Sequence, residues 1–370
     1  MPPPRRVARR SRKEVQAEAA YNALIIERMR GMTSERTETL LALYRTMVRI
    51  RAFEDAAEVA SQGGVSAYGV AADGSARVRG PLHLSTGQEA VPAGVCAHLG
   101  PQDYLTSTHR GHGHTLAKGA DPVRMMCELF GKATGYNGGK GGSMHIADFS
   151  VGMLGANGVV AAGMPIAVGA AHAQKLQRRS GITACFFGDG AINRGPFLEA
   201  LNWARVFELP VLFVCEDNRW SATTASDRMT AGEGAWARAQ GLGIPATQVD
   251  GNDVLAVRQA AGELVAQVRA GAGPRLLHAI TYRVKGHVSV DPAAYRDAEE
   301  LRRAMQDDPI ARARAAYLAL PGADAARLDA LEREAAEEIA RAVAAADAAP
   351  WPDPASAFSD VQTTGAGQWR

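Results

Sequence analysis

ITACFFGDGAINRGPFLEALNWARVFELPVLFVCEDNRW, residues 182–220, holds two short apolar runs separated by a helical pattern. The first run, Ile182 to Phe187, stops at Gly188-Asp189-Gly190, and the second, Val211 to Val214, ends at Glu216-Asp217-Asn218. Apolar runs of this length bounded by turn residues predict buried strands, and Phe197, Leu201, Ala204 and Leu209 share one face of the helix between them. The unit reads as β-α-β with parallel strands, so both strand ends come to one edge of the sheet. Asp189 and Asn218 stand 29 positions apart, yet this topology predicts that they meet at the edge where α/β sheets bind ligands. A carboxylate and an amide there suit a hard, oxygen-seeking cation such as Mg2+. The Gly-Asp-Gly turn also leads into a helix start, whose free N–H groups favour phosphate.

The chain has 370 residues, which fits one large α/β domain with helical additions. Lys and Arg total 41 against 39 Asp and Glu, a net charge of +2, so neither nucleic acid nor another polyelectrolyte is implied as a partner. No apolar run approaches the ~20 residues of a membrane span. The basic N-terminus precedes a polar segment rather than the apolar core of a signal peptide. Cys96, Cys127, Cys185 and Cys215 form no CxxC pair, and two of them fall inside the buried strands, which reads as reduced core thiols in a cytoplasmic protein.

Gly188-Asp189-Gly190, 27 intervening residues and then Asn218 resemble the thiamine-diphosphate motif. More widely, the stretch from Gly188 to Trp220 is similar to the alpha subunit of the dehydrogenase (first) component of 2-oxo acid and acetoin dehydrogenase complexes. The resemblance covers about residues 37–315. It implies the family's thiamine-diphosphate-binding α/β fold, a parallel sheet with helices on both faces. It also implies that Asp189 and Asn218 hold Mg2+ through their side chains and Trp220 through its backbone carbonyl. Gly188, with the backbone N–H groups of Gly190 and Ala191, would complete a cradle for the diphosphate.

Residues 1–36 open with Arg5, Arg6, Arg9, Arg10, Arg12 and Lys13 and read as a basic, disordered arm. From Thr37, Leu40, Leu41, Leu43, Tyr44, Met47 and Ile50 recur at helical spacing. The helix runs into Arg51-Ala52-Phe53-Glu54, which resembles the family's opening helix. Gly63 to Gly80 reads as a loop or short hairpin. In PLHLSTGQEA, residues 81–90, Ser85 or Thr86 stands where it would cap a helix whose first turn carries Glu89. This stretch also resembles the family's His-Leu-x-x-Gly-Gln-Glu-Ala. The histidines His109, His112 and His114 invite a zinc reading, but no carboxylate or cysteine stands at a matching spacing. Arg110 among glycines better suits a forked clamp on phosphate oxygens. The resemblance gives His109-Arg110 that place at the diphosphate, His109 being also a candidate catalytic group. Lys140 to His145 repeats a family signature in which glycines permit close backbone approach. Gly158, Val159 and Val160 match positions that contact the aminopyrimidine ring. Met164 to Gln177 reads as a small-residue helix suited to a subunit interface.

Ile244 to Val249 and Pro274 to Tyr282 read as further strands. Asp250-Gly251-Asn252-Asp253 caps the helix from Val254 to Arg269. His287 follows the last strand; the resemblance places it at the active-site entrance, contacting the diphosphate end of the cofactor or serving proton transfer. Val288 and Val290 stand where the family often has serines, so kinase control is not expected. Residues 297–348 read as charged, Ala-rich helices, and residues 316–370 as a C-terminal helix with an irregular tail.

The resemblance implies half of an enzyme. A beta subunit would bring the activating glutamate, forming an α2β2 heterotetramer, and a lipoyl-bearing acyltransferase would receive the acyl fragment. Ser107 to Gly113 and Gly152 to Gly158 are most like the acetoin-cleaving branch; pyruvate or another 2-oxo acid is the neighbouring reading. A catalytically silent paralogue acting in binding or assembly is the alternative from another class. Three positions depart from the family pattern: Arg194 replaces Gln, Asp217 replaces Asn, and Trp220 replaces Tyr. Arg194 and Asp217 add opposite charges and are candidates to pair with each other. A nicotinamide-binding reading fails, because Asn193 stands where GxGxxG requires its third glycine.

Overall fold

In the computed structural model, which describes residues 12–359 apart from 65, 67, 68, 70 and 79, six parallel strands form the central sheet. They are β1 (Tyr104–Thr106), β2 (Met153–Gly155), β3 (Thr183–Gly188), β4 (Val211–Asp217), β7 (Ala246–Asp250) and β8 (Arg275–Ile280), in spatial order β2-β1-β3-β4-β8-β7. A small antiparallel hairpin, β5 (Trp220–Ser221) with β6 (Thr224–Ala225), stands beyond the end of β4. Chain order reverses beside β1: β2 lies on one side of it and β3 on the other. The crevice outside the carboxyl ends of β1 and β3 is therefore a topological switch point.

Side chains alternate across the sheet as strand geometry requires. Ala184, Phe186, Leu212, Val214, Leu277 and Ala279 join the core on one face. Cys185, Phe187, Phe213, Cys215 and Leu276 join the core on the other. The first face is covered by α1 (Arg12–Ser61), α2 (Ala90–Cys96), α3 (His112–Ala117), α4 (Pro122–Leu129) and α8 (Val254–Arg269). The second is covered by α5 (Gly163–Leu176), α6 (Gly195–Val206) and α7 (Ala235–Gly241). This is the α/β architecture with helices on both faces that the sequence implies. The expected β-α-β unit is β3-α6-β4, with Phe197, Leu201 and Ala204 of α6 buried and the strands in register from Thr183↔Val211 to Gly188↔Glu216. Asp253 caps α8 as expected, accepting from the N–H groups of Leu255 and Ala256.

Three further helices follow: α9 (Ala298–Gln306), α10 (Pro309–Leu318) and α11 (Ala325–Ala348). The last packs on α1 and α4, with Arg49 paired to Glu338 at 2.9 Å, so the C-terminal helix is joined to the body of the domain. At the other end the backbone is helical from Arg12, well inside the stretch read as a disordered arm; residues 1–11 lie outside the described residues. The Gly63–Gly80 segment contains no strand among its described residues.

The cap expected before α2 does not form. Its N-cap residue is Glu89, with no side-chain cap. The Ser85 hydroxyl instead donates to Glu54 at 2.6 Å, and Glu89 accepts from the Gly87 N–H at 3.0 Å while pairing with Arg51. Buried carboxylates on neighbouring elements have claimed the polar groups that local pattern assigns to the helix. The glycine-rich loop after α4 is organised around another such carboxylate. Glu128 is fully buried and accepts from the N–H groups of Asn137, Gly139, Gly141 and Gly142 at 2.7–3.0 Å. Gly139 has φ +79°, and a Cβ there would lie 2.5 Å from the Gly131 carbonyl carbon, which explains the glycine.

Candidate active site

A cavity of about 220 Å3 opens at the switch point. The residues following β1, β3, β4 and β8 all reach it, together with the segment before α2 and the loop after β2. Asp189 begins the tight turn after β3 and Asn218 follows β4, and both line the cavity, as the topology of the β-α-β unit predicts. Asp189 is buried and accepts from the Ser226 hydroxyl beyond the β5–β6 hairpin. Burial raises its carboxyl above the usual range and the neighbouring Asp217 adds to this, while the Ser226 bond pulls it down. Asn218 Oδ1 accepts from the Trp220 N–H at 3.2 Å, and its Nδ2 donates to Gln88 Oε1 at 3.0 Å. The Trp220 carbonyl accepts from Arg283 Nη1 at 3.4 Å. Gly188, Gly190 and Ala191 also line the cavity. At Gly190 a Cβ would stand 2.3 Å from Ser221 Oγ, so any side chain there would have to displace Ser221.

Two arginines also line the cavity. Arg110 is buried; its Nη1 donates to the Leu84 carbonyl at 2.7 Å and its Nη2 to the His287 carbonyl at 2.9 Å. Arg283 is fully buried, donating to the Ala222 carbonyl at 2.8 Å. Burial lowers the Arg110 guanidinium to about 9, with Arg283 beside it adding to the effect. Burial and Arg296 lower Arg283 to about 10. Among the described residues neither arginine forms an ion pair with a carboxylate. Three buried polar atoms on the cavity wall, His83 Nδ1, Gln88 Nε2 and Arg283 Nε, have no hydrogen-bond partner. A buried polar atom left unpaired costs about 1–3 kcal/mol, so these atoms and the two guanidiniums fit an anionic, oxygen-rich ligand.

His83, His109 and His287 meet at the rim, each offering a ring nitrogen within 4.8 Å of the others. Burial holds all three imidazoles below their usual range, His287 at about 4 with Arg110 and Arg283 contributing. The histidines that stand together in sequence do not stand together in space. His112 binds Glu54 at 3.0 Å and Ser143 at 2.9 Å, and His114 binds Ser107 at 2.7 Å. Only His109 of that group reaches the rim cluster. Arg283 and His83 escaped the sequence reading as site residues; the signal for Arg283 was a charged residue directly following an apolar strand.

Gly158, Val159 and Val160 line the cavity mouth, where both valines are exposed. The charge pair considered for Arg194 and Asp217 is not made. Asp217 binds His278 at 3.1 Å and lies 3.6 Å from Arg219, because β8 sets His278 beside β4, whereas Arg194 is exposed at the start of α6.

A family model described as Dehydrogenase E1 component matches residues 71–355. The alpha subunit of acetoin:2,6-dichlorophenolindophenol oxidoreductase of Cupriavidus necator is 44% identical over 325 residues, covering 88% of this chain and 94% of the relative. Its counterpart from Bacillus subtilis is 42% identical over 325 residues, covering 88% and 93%. The pyruvate dehydrogenase E1 component subunit alpha of Zymomonas mobilis is 39% identical over 326 residues, covering 88% of each chain. A match that takes in the switch-point cavity, with relatives aligned along most of their own length, makes this protein a member of the dehydrogenase E1 component family.

Proposed function

We propose that this chain is the cofactor-binding alpha subunit of a cytoplasmic, thiamine-diphosphate-dependent dehydrogenase component that cleaves acetoin. The observation that carries the reading is the pair of buried guanidiniums, Arg110 and Arg283, facing a cavity without a carboxylate partner. Two confined positive charges with free donor capacity suit a diphosphate. In the same cavity, Asp189 and Asn218 with the Trp220 carbonyl would be the oxygen donors for Mg2+, whose charge would offset the burial that raises Asp189. Gly188 and the N–H groups of Gly190 and Ala191 would cradle the diphosphate, and Gly158, Val159 and Val160 would seat the aminopyrimidine ring. Thiamine diphosphate, when bound, supplies the carbon nucleophile and electron sink for cleaving a bond beside a carbonyl. His109 and His287, held neutral at the rim, are placed to accept or return protons of the substrate without adding charge beside the two guanidiniums.

The activating glutamate would come from a beta subunit in an α2β2 assembly, and a lipoyl-bearing acyltransferase would take the acyl fragment. Ile166 and Leu176 on α5 and Leu198, Trp203 and Val206 on α6 are large, apolar and exposed, as a surface covered by another chain is. No helix among the described residues is long and apolar enough to cross a membrane, and all four cysteines are free and buried. Acetoin is preferred over pyruvate because the acetoin-named relatives align at 42% and 44% identity, against 35–41% for the pyruvate-named ones.

The test is co-expression with a beta-type chain, followed by thiamine-diphosphate binding with Mg2+ and dye reduction with acetoin and pyruvate in parallel. Acetoin turnover that disappears in Asp189→Ala is the expected result. Pyruvate turnover alone would move the substrate assignment. Failure to bind the cofactor would overturn the catalytic reading and leave a binding or assembly subunit.

A further inference from the structure

At the wall of the cofactor cavity lies a chain of three buried polar side chains from three different elements. Ser107 directly follows β1, His114 sits on α3, and Glu216 is on β4. Ser107 Oγ is 2.7 Å from His114 Nδ1, and His114 Nε2 is 3.2 Å from Glu216 Oε2. All three are buried, while Ser107 and Glu216 both line the cavity. The imidazole is held against the Phe186 ring, with centroids 4.0 Å apart. Its Nε2 is out of line for a hydrogen bond and, among the described residues, has no partner other than the nearby carboxylate. Packing from β3 thus fixes the ring, with Nδ1 turned to the Ser107 hydroxyl and Nε2 turned towards the Glu216 carboxylate; in the tautomer with its proton on Nε2, the Nδ1 lone pair accepts the Ser107 hydroxyl. A hydroxyl whose proton points at an imidazole nitrogen backed by a carboxylate presents its own lone pairs to the cavity and is made more basic.

We propose that Ser107 takes the hydroxyl proton of a 2-hydroxyketone substrate, with His114 and Glu216 as positioning residues that make it a base. This rests on the acetoin reading above. Cleaving the carbon–carbon bond of a 2-hydroxyketone demands loss of a hydroxyl proton, a step that decarboxylation of a 2-oxo acid lacks. In the relay the substrate O–H bond breaks and its proton bonds to Ser107 Oγ, while the original Ser107 proton passes to His114 Nδ1. The imidazolium so formed faces Glu216. The electron pair left on the substrate oxygen becomes the second bond of the released aldehyde's carbonyl, and the carbon–carbon bonding pair leaves with the other fragment. The relay resets when His114 returns its proton through Ser107 to solvent.

The experiment uses the full chain co-expressed with its beta-type partner, comparing wild type, Ser107→Ala, Ser107→Thr and His114→Gln with acetoin and with pyruvate. A general base contributes ~10²–10⁴-fold, so Ser107→Ala and His114→Gln are expected to lower kcat for acetoin by about 100-fold or more with KM little changed. Pyruvate turnover is expected to stay within about threefold, and Ser107→Thr, which keeps the hydroxyl, to recover most of the acetoin activity. Cofactor affinity, followed by tryptophan fluorescence, should be the same in all four. Equal losses on both substrates, no rescue by threonine, or a wild type that uses pyruvate alone would each overturn the relay. A wild type inactive on both substrates would instead sink the acetoin reading. The relay then stands or falls on histidine 15N NMR of the full chain: His114 protonated at Nε2 with an Nδ1 resonance that moves in Ser107→Ala supports it, and protonation at Nδ1 refutes it.

Discussion

Replacing Arg110 by methionine should weaken cofactor binding severely while leaving the cofactor-free protein as stable as before, or more so. The guanidinium is lowered from 12.5 to about 9, chiefly by burial. At about 1.4 kcal/mol for each tenfold change in acidity, holding that charge costs ~5 kcal/mol in the folded chain. Neutral pH lies below both the folded and unfolded values, so the cost is present in full there. Against it stand two hydrogen bonds, to the carbonyls of Leu84 and His287; leaving both carbonyls unpaired costs about 1–3 kcal/mol each. Methionine matches the volume of the stem without the charge, so the two effects cancel or favour the variant. With ligand the balance reverses, since two charge-assisted bonds to phosphate oxygens, at about 1.5–3 kcal/mol each, correspond to a 10²–10⁴-fold loss of affinity. Differential scanning calorimetry with and without thiamine diphosphate and Mg2+ separates the two. Wild type should melt higher as ligand is added, following RT ln(1 + [L]/Kd), and the variant should not respond. An apo variant that melts more than about 5 °C below wild type, or one that responds to ligand normally, would refute the reasoning.

His287 gives a pH dependence. Its folded-state value is about 4, whereas in the unfolded chain it protonates near 6.5. Between those values the unfolded state binds the extra proton, so the His287 contribution to stability should fall as pH drops from about 6.5 towards 4 and change no further below. His83 and His109 are lowered too and act with the same sign; His287→Asn should therefore make the melting temperature less steep in this window, and an identical slope would count against the depressed imidazole. Glu128→Gln puts an amide NH2 among four inward-facing N–H groups, which should cost roughly 2–5 kcal/mol and speed amide exchange at Gly139 to Gly142 before the rest of the fold. Uniform exchange across the chain would show that the glycine loop does not depend on this carboxylate.

The β3-α6-β4 unit was legible because its signals are local: apolar runs, turn residues and one amphipathic helix specify it without reference to anything distant. Asp189 and Asn218 could be placed together for the same reason, since parallel topology brings their strand ends to one edge. The arginine pair was not legible in this way. Arg110 and Arg283 are 173 positions apart, and only the neighbouring positions of β1, β3 and β4 with β8 beyond carry the loops that unite them. The rim histidines make the same point: a run of three in sequence attracted a zinc reading, while the imidazoles that meet are supplied by three separate loops. Where the sequence reading failed locally, at the Ser85 cap and the Arg194–Asp217 pair, a buried partner from another element had taken the polar group.

The clasp between α1 and the helices α10 and α11 bears on how the protein is made. Leu40, Leu41, Tyr44 and Met47 of α1 are buried in one cluster with Tyr317, Leu328 and Ala335, and Arg49 reaches Glu338 across 289 positions. At a ribosomal pace of about 5–20 residues per second, the first half of that cluster waits some 15 to 60 s for the second. Throughout that interval the leucine-rich helix face lacks the part of its cover that α10 and α11 provide, having only Ala90, Ala93 and Val254 of the same cluster to pack on. Synthesis must therefore pass α11 before this part of the core can close, and a nascent chain stalled before α11 would present to chaperones part of the stripe that the finished protein hides.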